Sequence, residues 1–426
     1  MKWLCIGLPV LLWALPCCAE EGNTAEYKFQ YYVDNNGVKV LSHDAGAGLK
    51  IGDHVKVRAD YLVDAITAAS RSDHRGVPAS ALPKTDAVTS ATSSQGVDGV
   101  THATTDETRQ QFTGTVSLIN DYIKHFRSDK NNDDPTTMTF IGSYSGENDY
   151  ISRTIGAVFA QDLFQRNTTL SFTFGKSFDQ WNPISWAVPG PDNAGWNYLG
   201  SGKRETSRYS VGMTQGITTT TIASVNGEYV YDVGYLAKPY NSMLINGTYY
   251  HENYPAQHKS LATTGLLNQY IPVDNSVLSG ISLHGEYRYY HDSWSITSHT
   301  GTAELYVRLF NNYVARPSYR YYWQSAPFFY QDSYATVPVY LTTDLKYRAG
   351  NSQTVGLKLS WEVVDFVKPM DDSHFPLFLQ SIDIAGNYYM RQSPASQDIV
   401  NLHYGYWNAA DGYHMFWLQT GLKFAF

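Results

Sequence analysis

Along most of the chain, apolar and polar residues alternate one for one. "TVGLKLSWEV" (354–363) sets Val355, Leu357, Leu359, Trp361 and Val363 against Gly356, Lys358, Ser360 and Glu362. "TAELYVRLF" (302–310) opposes Ala303, Leu305, Val307 and Leu309 to Glu304, Tyr306 and Arg308. "HVKVRADYLV" (54–63) does the same with Val55, Val57, Ala59, Tyr61 and Val63 against Lys56, Arg58 and Asp60. A period of two places successive side chains on opposite faces of a β-strand. The rhythm returns in "LSFTFG" (170–175), "ASVNGEYVY" (223–231) and "ISLHGEYRYY" (281–290). Short turn signals separate these runs: "DNNG" (34–37), "RN" (166–167), "HDS" (291–293), "NN" (311–312) and "AGNS" (349–352). Such Gly/Asn/Asp clusters between alternating runs are hairpin punctuation. Longer Gly/Pro/Asn-rich loops fall near 66–106, 180–203, 238–256 and 326–338. No stretch carries a helical period and the composition keeps one regime, so the pattern predicts a single all-β domain over 20–426.

Tight turns mixed with long loops are the habit of a transmembrane antiparallel β-barrel, and such barrels have even strand numbers. The runs predict about sixteen strands, within a range of 14–18. Charged side chains must then face the lumen, because Arg or Lys facing lipid at the midplane costs roughly 2–4 kcal/mol. That assigns Arg58, Glu286, Arg288, Arg308, Arg320, Arg348 and Glu362 to the interior, with Lys56, Asp60, Glu304, Lys346 and Lys358. The final segment "YHMFWLQTGLKFAF" puts Phe416, Leu418, Thr420, Leu422, Phe424 and Phe426 on one face. It resembles the terminal-aromatic last strand by which outer-membrane barrels are recognised. The resemblance implies Phe424 and Phe426 as a signal to the barrel assembly machinery, and outer-membrane lipid as the surrounding partner.

Composition sharpens this picture. "MKWLCIGLPVLLWALPCCA" (1–19) has one basic residue, an apolar run from Trp3 to Leu15 and a small-residue end, the plan of a signal peptide for export. All three cysteines lie inside it, which excludes disulfides, thiol nucleophiles and thiolate metal sites from the rest. The formal charge of −8 makes nucleic acid an unsuitable partner. Tyr alone numbers 34, and aromatics are 15% of the chain, the supply a barrel needs for its interfacial girdles. Together these place the protein in the bacterial outer membrane.

Candidate chemistry is sparse. Tyr-Arg-Tyr-Tyr occurs at 287–290 and 319–322, on neighbouring predicted strands, so Arg288 and Arg320 either line an anion-attracting pore or pair with acids such as Glu286 to fill it. The similar numbers of both signs favour pairing. The thirteen histidines form no H-x-x-x-H pair, and His74 and His102 merely share a loop. "DKNND" (129–133) opens like a calcium loop but has Asp134 at the glycine position and Phe140 at the closing glutamate. His291 beside Asp292 is one adjacent pair, not a catalytic constellation. The expectation is a channel-like or structural barrel without enzymatic activity or a metal.

One stretch stands apart from the alternation. "TDAVTSATSS" (85–94) repeats the template of "VDAITAASR" (63–71). Residues 86–92, "DAVTSAT", resemble the site modified by periplasmic flavin transferases, which implies Thr92 as acceptor of a covalent FMN through phosphate and Asp86 as the recognition carboxylate. Ser90 stands where glycine is usual, and the copy at 64–70 departs further, with Ala68 and Ser70. A polar loop with two Asp-initiated turns accounts for the same residues. More widely, "YLVDAIT", "TDAVTSATSS", "GENDYISRTIG", "DLFQRNTTLSF", "YRYYHDSWSITSHT" and "SYRYYWQSAPFFY", in this order, resemble a bacterial outer-membrane barrel family of unknown function. That resemblance implies association with a flavin transferase, and so a second expectation: a flavinylated part of an extracytosolic redox system.

Overall fold

A computed structural model describes residues 23–34, 39–66, 84–85, 92–93, 107–120, 134–147, 150–182, 202–237, 242–273, 275–363, 378–391 and 413–426. Sixteen antiparallel strands close into one barrel. They are β1 Thr24–Asp34, β2 Lys39–Ile51, β3 Val55–Ile66, β4 Glu107–Asn120, β5 Thr136–Gly146, β6 Tyr150–Leu163, β7 Thr168–Trp181 and β8 Gly202–Thr218. The circuit continues with β9 Thr221–Gly234, β10 Gln257–Ile271, β11 Leu278–Asp292, β12 Thr297–Leu309, β13 Tyr313–Gln324, β14 Gly350–Glu362, β15 Phe378–Arg391 and β16 Tyr413–Ala425. Each strand pairs with its sequence neighbours, and β16 closes on β1 from Thr24↔Ala425 to Asp34↔Met415. The strand count and fold class are those the alternation predicts.

Curvature identifies the inner face. On a concave surface, side chains of strands two apart converge; on a convex one they splay. Arg308 on β12 reaches Glu362 on β14 across β13, at 2.7 Å, and Arg58 on β3 reaches Glu26 on β1 across β2, at 3.4 Å. The charged parity therefore lines the interior. The opposite parity carries Phe112, Phe140, Ile155, Phe172, Val211, Leu267, Leu283, Leu357 and Ile384, each about half exposed on the outside. No other architecture gives one chain two such unlike faces around a closed sheet without stranding apolar surface in water.

Turn chemistry differs between the two ends. Thr24 and Phe426 share one end, where five of the seven connections are short and those at 121–135 and 363–377 are longer; in the short ones Phe164, Gln165 and Arg166 take the left-handed conformation, as do Phe310 and Asn311. At the other end five connections are long, 67–106, 182–201, 235–256, 325–349 and 392–412, and three are short, 35–38, 147–149 and 293–296; the 67–106 connection leaves from there after three strands. Pro317, facing outward in mid-β13, has no N–H to donate. The β12–β13 ladder accordingly skips from Glu304↔Ser318 to Val307↔Ala315, and Arg316 bridges the gap on the inner face, to the Tyr306 hydroxyl at 3.0 Å.

Candidate functional site: the inner wall and its capped mouth

The inner wall is a ladder of ion pairs. Arg58 Nε donates to both oxygens of Asp60, at 2.9 and 3.0 Å. Lys28 lies 3.5 Å from Glu26, and Lys358 3.2 Å from Asp383. Arg308 grips Glu362 with both terminal nitrogens, at 2.7 and 3.0 Å, and also donates to the Asn311 carbonyl. Toward the end opposite the termini, Arg109 pairs with Asp64, and Arg204 with a nearly fully buried Asp179. The Arg204 guanidinium also lies over the Trp181 ring. At the same level His258 stands between two carboxylates, its ring nitrogens each 3.0 Å from Asp232 and Asp292, while Tyr290 donates to Asp292 at 2.8 Å. Alternation supplies these positions, because each residue occupies an inward parity of its own strand.

Over part of this mouth sits a folded cap. It is built from the β9–β10, β11–β12 and β13–β14 connections and packs Ala237, Tyr254, Trp294 and Phe329 into a buried cluster with Tyr235, Leu236 and Tyr347 around it. Tyr254 meets Trp294 edge-on, with centroids 5.6 Å apart, and the Trp294 ring lies 4.2 Å from that of His258. A second cluster joins Ile245 and Leu341, with Tyr250 and Tyr334. Buried Glu252 ties the β9–β10 and β13–β14 connections together, accepting from Tyr254 Oη at 2.6 Å and from Thr342 Oγ1 at 2.5 Å. The turn Leu345–Tyr347 and the residue after it are held from the barrel itself. Gln324 donates to the carbonyls of Lys346 and Arg348, and Arg391 donates to that of Arg348 at 2.6 Å. Both donors occupy inward positions, so this segment rests inside the mouth.

The cap environment suppresses tyrosine ionisation. Burial, reinforced by Glu252, pushes Tyr235 up to about 12. Tyr254 is held well above its ordinary value by burial and then by Glu252, and Tyr347 by burial and then by Asp344. A neutral phenol can donate to Glu252, which is how the buried carboxylate is satisfied.

Over residues 14–372 the chain matches the family described as protein of unknown function (DUF3570). The chain belongs to this family. No curated protein matches it. Solved structures similar to it include a bacterial polysaccharide outer membrane secretin, at 8% identity and TM-score 0.46, covering 94% of this chain and 98% of that one. The siderophore receptor PirA from Acinetobacter baumannii is similar at 9% and 0.42, over 88% of this chain and 54% of its own. Pseudomonas aeruginosa OpdK, solved with vanillate, is similar at 9% and 0.32, over 94% and 97%. The chain thus spans about half the length of PirA.

Within this family member the expected site residues separate. Arg58, Arg308 and Glu362 sit on inward parities in the pairs described. Glu286, Arg288 and Arg320 share that parity, and Arg288 lies 5.4 Å over the Tyr290 ring. Glu286 has no arginine opposite it; its cross-strand neighbours are Leu266 and Thr302. The two Tyr-Arg-Tyr-Tyr runs are on β11 and β13, with β12 between them, not on neighbouring strands. Arg348 and Lys346 are on no strand: both belong to the cap, where Arg348 Nη2 meets Asp332 at 3.2 Å. The polar run "DLKYRAG" ends in the strand start and mimics it, which is why alternation misplaced them. Phe424 faces outward on β16, and the Phe426 amide donates to the Asn23 carbonyl. Thr92 and Thr85 pair as the base of a two-residue ladder at the end opposite the termini, while Asp86 lies outside the described residues. So do residues 1–19, His74, His102 and 129–133. Among the described residues, no group of His, Cys, Asp and Glu is arranged to hold a metal.

Sequence reasoning missed the cap and the His258 bridge. Cap residues carry no period, and Asp232, His258 and Asp292 are joined only by strand register. The one available signal was that each sits at or next to the final inward position of its alternating run.

Proposed function

We propose that this protein is an outer-membrane channel that passes small polar solutes through a lumen of balanced charge, with its outer mouth narrowed by the aromatic cap. The observation that carries the reading is the bracing of the cap against the inner wall by Gln324 and Arg391. A wall of paired charges offers both signs to a passing ion without a net field, so weak selectivity is expected. The outward apolar band supports a membrane location, and the end opposite the five longest connections then faces the periplasm. Conductance in planar bilayers tests this. Wild-type protein is expected to give small or intermittent openings, and Gln324→Ala with Arg391→Ala larger and longer ones. A wild type and double variant that are both silent across voltages and salts would refute the channel.

A second reading rests on the Thr85↔Thr92 ladder. That pairing holds the acceptor Thr92 opposite Thr85 in the connection between β3 and β4. Here Thr92 carries FMN by a phosphoester. Intact mass of envelope-purified protein decides: a species heavier by one FMN that is lost in Thr92→Ala supports it, and an unmodified mass sinks it.

A further inference from the structure

Among the described residues the outer face of the barrel is nearly free of charge, apart from Lys39 at the start of β2 and one cluster. On β6 to β10, Arg153, Lys176, Lys203 and Lys259 all fall on the outward parity, shared with Ile155, Phe172, Tyr209 and Leu261. Register brings them together: Arg153 faces Phe178, Phe178 faces Glu205, Lys176 faces Ser207, and Tyr231 faces Lys259. The four cations lie within a few residues of the strand ends opposite the chain termini. Below them toward the other end, the outward positions of these five strands carry no charge. Glu205 is the single acid, and it is spoken for by Lys176 at 2.8 Å. Arg153, Lys203 and Lys259 are exposed. The cations stand on aromatic supports, with Lys176 over Phe178 at 5.6 Å and Lys259 over Tyr231 at 5.8 Å.

Outward cations are costly in hydrocarbon and harmless at its edge, so their height marks the boundary of the apolar band. Their clustering on five adjacent strands is not explained by that boundary, since, Lys39 on β2 apart, the other strands cross it with tyrosine, histidine and tryptophan instead. Tyr287 with His299, and Tyr388 with His414, are such crossings. A net positive patch at the edge of an apolar wall is complementary to an anion that is itself anchored in hydrocarbon. Beside it, beyond Lys259, Gly265, Gly285 and Gly301 open an outward groove of about 750 Å³ beneath Tyr287, Tyr319 and Tyr321. An added Cβ at Gly265 or Gly301 would meet nothing within 4 Å, so contact with neighbouring atoms does not require glycine at either position.

We propose that Arg153, Lys203 and Lys259, steadied by Lys176, form a binding site for the phosphorylated headgroup of a membrane lipid in the leaflet at the capped end. The proposal rests on the membrane location argued above, but not on conduction. Three exposed cations on one outward face of β6, β8 and β10 engage phosphate oxygens by charge-assisted hydrogen bonds, with Arg153 able to do so in bidentate fashion.

The test is native mass spectrometry of the detergent-purified full chain titrated with a bis-phosphorylated glucosamine lipid. Its dephosphorylated counterpart and phosphatidylcholine serve as comparisons, and inorganic phosphate as competitor. Wild type is expected to retain the phosphorylated lipid at least ten-fold better than the dephosphorylated one, and millimolar inorganic phosphate to leave it bound. The R153Q/K203Q/K259Q variant is expected to lose that preference while keeping the heat-modifiable migration of a closed barrel. Equal retention of the two lipids by wild type, or an undiminished preference in the variant, overturns the site. A variant that fails to close is replaced by the single changes, each expected to lower the preference several-fold. Failure of the membrane reading shows separately, as wild type that does not insert into vesicles at all.

Discussion

At Arg308 the guanidinium holds Glu362 from two strands away, yet both side chains are about two-fifths exposed to the lumen. Water reaches the pair, so its contribution to stability is small, roughly 0.2–1 kcal/mol. Its larger effect is on the charge a permeating ion meets. Arg308→Ala leaves Glu362 uncompensated, and the reversal potential across a salt gradient is expected to move toward cation preference, while Glu362→Gln moves it the other way. Both variants should unfold within about 1 kcal/mol of wild type in denaturant titration. The cap tyrosines behave differently because they are shut away from water. A phenol whose folded value is raised stabilises the fold fully below its unfolded value near 10 and loses that contribution as pH climbs through the folded value. Tyr235, at about 12, sets the upper part of that window. Ultraviolet titration is therefore expected to show exposed tyrosines ionising first, and cap loosening only above about pH 10. Cap opening at neutral pH would contradict this.

At the scale of elements, Gly234 ends β9 at φ 119° and turns the chain into the cap. A Cβ there would strike the carbonyl of Lys203 on β8. Gly234→Ala combines that collision with a backbone region that side chains avoid, for an expected loss of about 1–3 kcal/mol, seen as a lower temperature for the heat-modifiable shift. Glu252→Ala acts on the same element from within. It leaves the hydroxyls of Tyr254 and Thr342 buried without their acceptor, at about 1–3 kcal/mol each. The expected readout is protease cleavage in the 325–349 connection of a barrel that is otherwise intact. These elements also show what the sequence could reveal. Strands announce themselves because burial on one side only forces a period of two, and β14 could be read from Leu357 and Lys358 alone. The cap has no such constraint. Tyr254, Trp294 and Phe329 meet from three separate connections, and nothing local to any of them specifies the others. Arg348 was misplaced for the same reason: proximity to a strand in sequence is not membership of its ladder. The His258 bridge needed the register Asp232↔His258, which period alone leaves open.

At the scale of the molecule, the sheet closes only when β16 meets β1. Tyr413 joins Tyr32 at 2.6 Å and donates to Asp34 at 2.9 Å, on the inner side of that meeting. Bringing Thr24 to Ala425 closes a loop of about 400 residues, an entropic cost on the order of 5 kcal/mol that no earlier pairing reduces unless the intervening hairpins form first. The order of synthesis makes this a matter of time. The strand that is translated first keeps a bare edge until the strand translated last arrives, and every intermediate in between is an open sheet with two unsatisfied borders. A chain lacking β16 would keep fifteen strands and no means of hiding either border, a species prone to stick to its own kind. Pairing of Tyr413–Ala425 with β1 is thus the event that removes both borders at once.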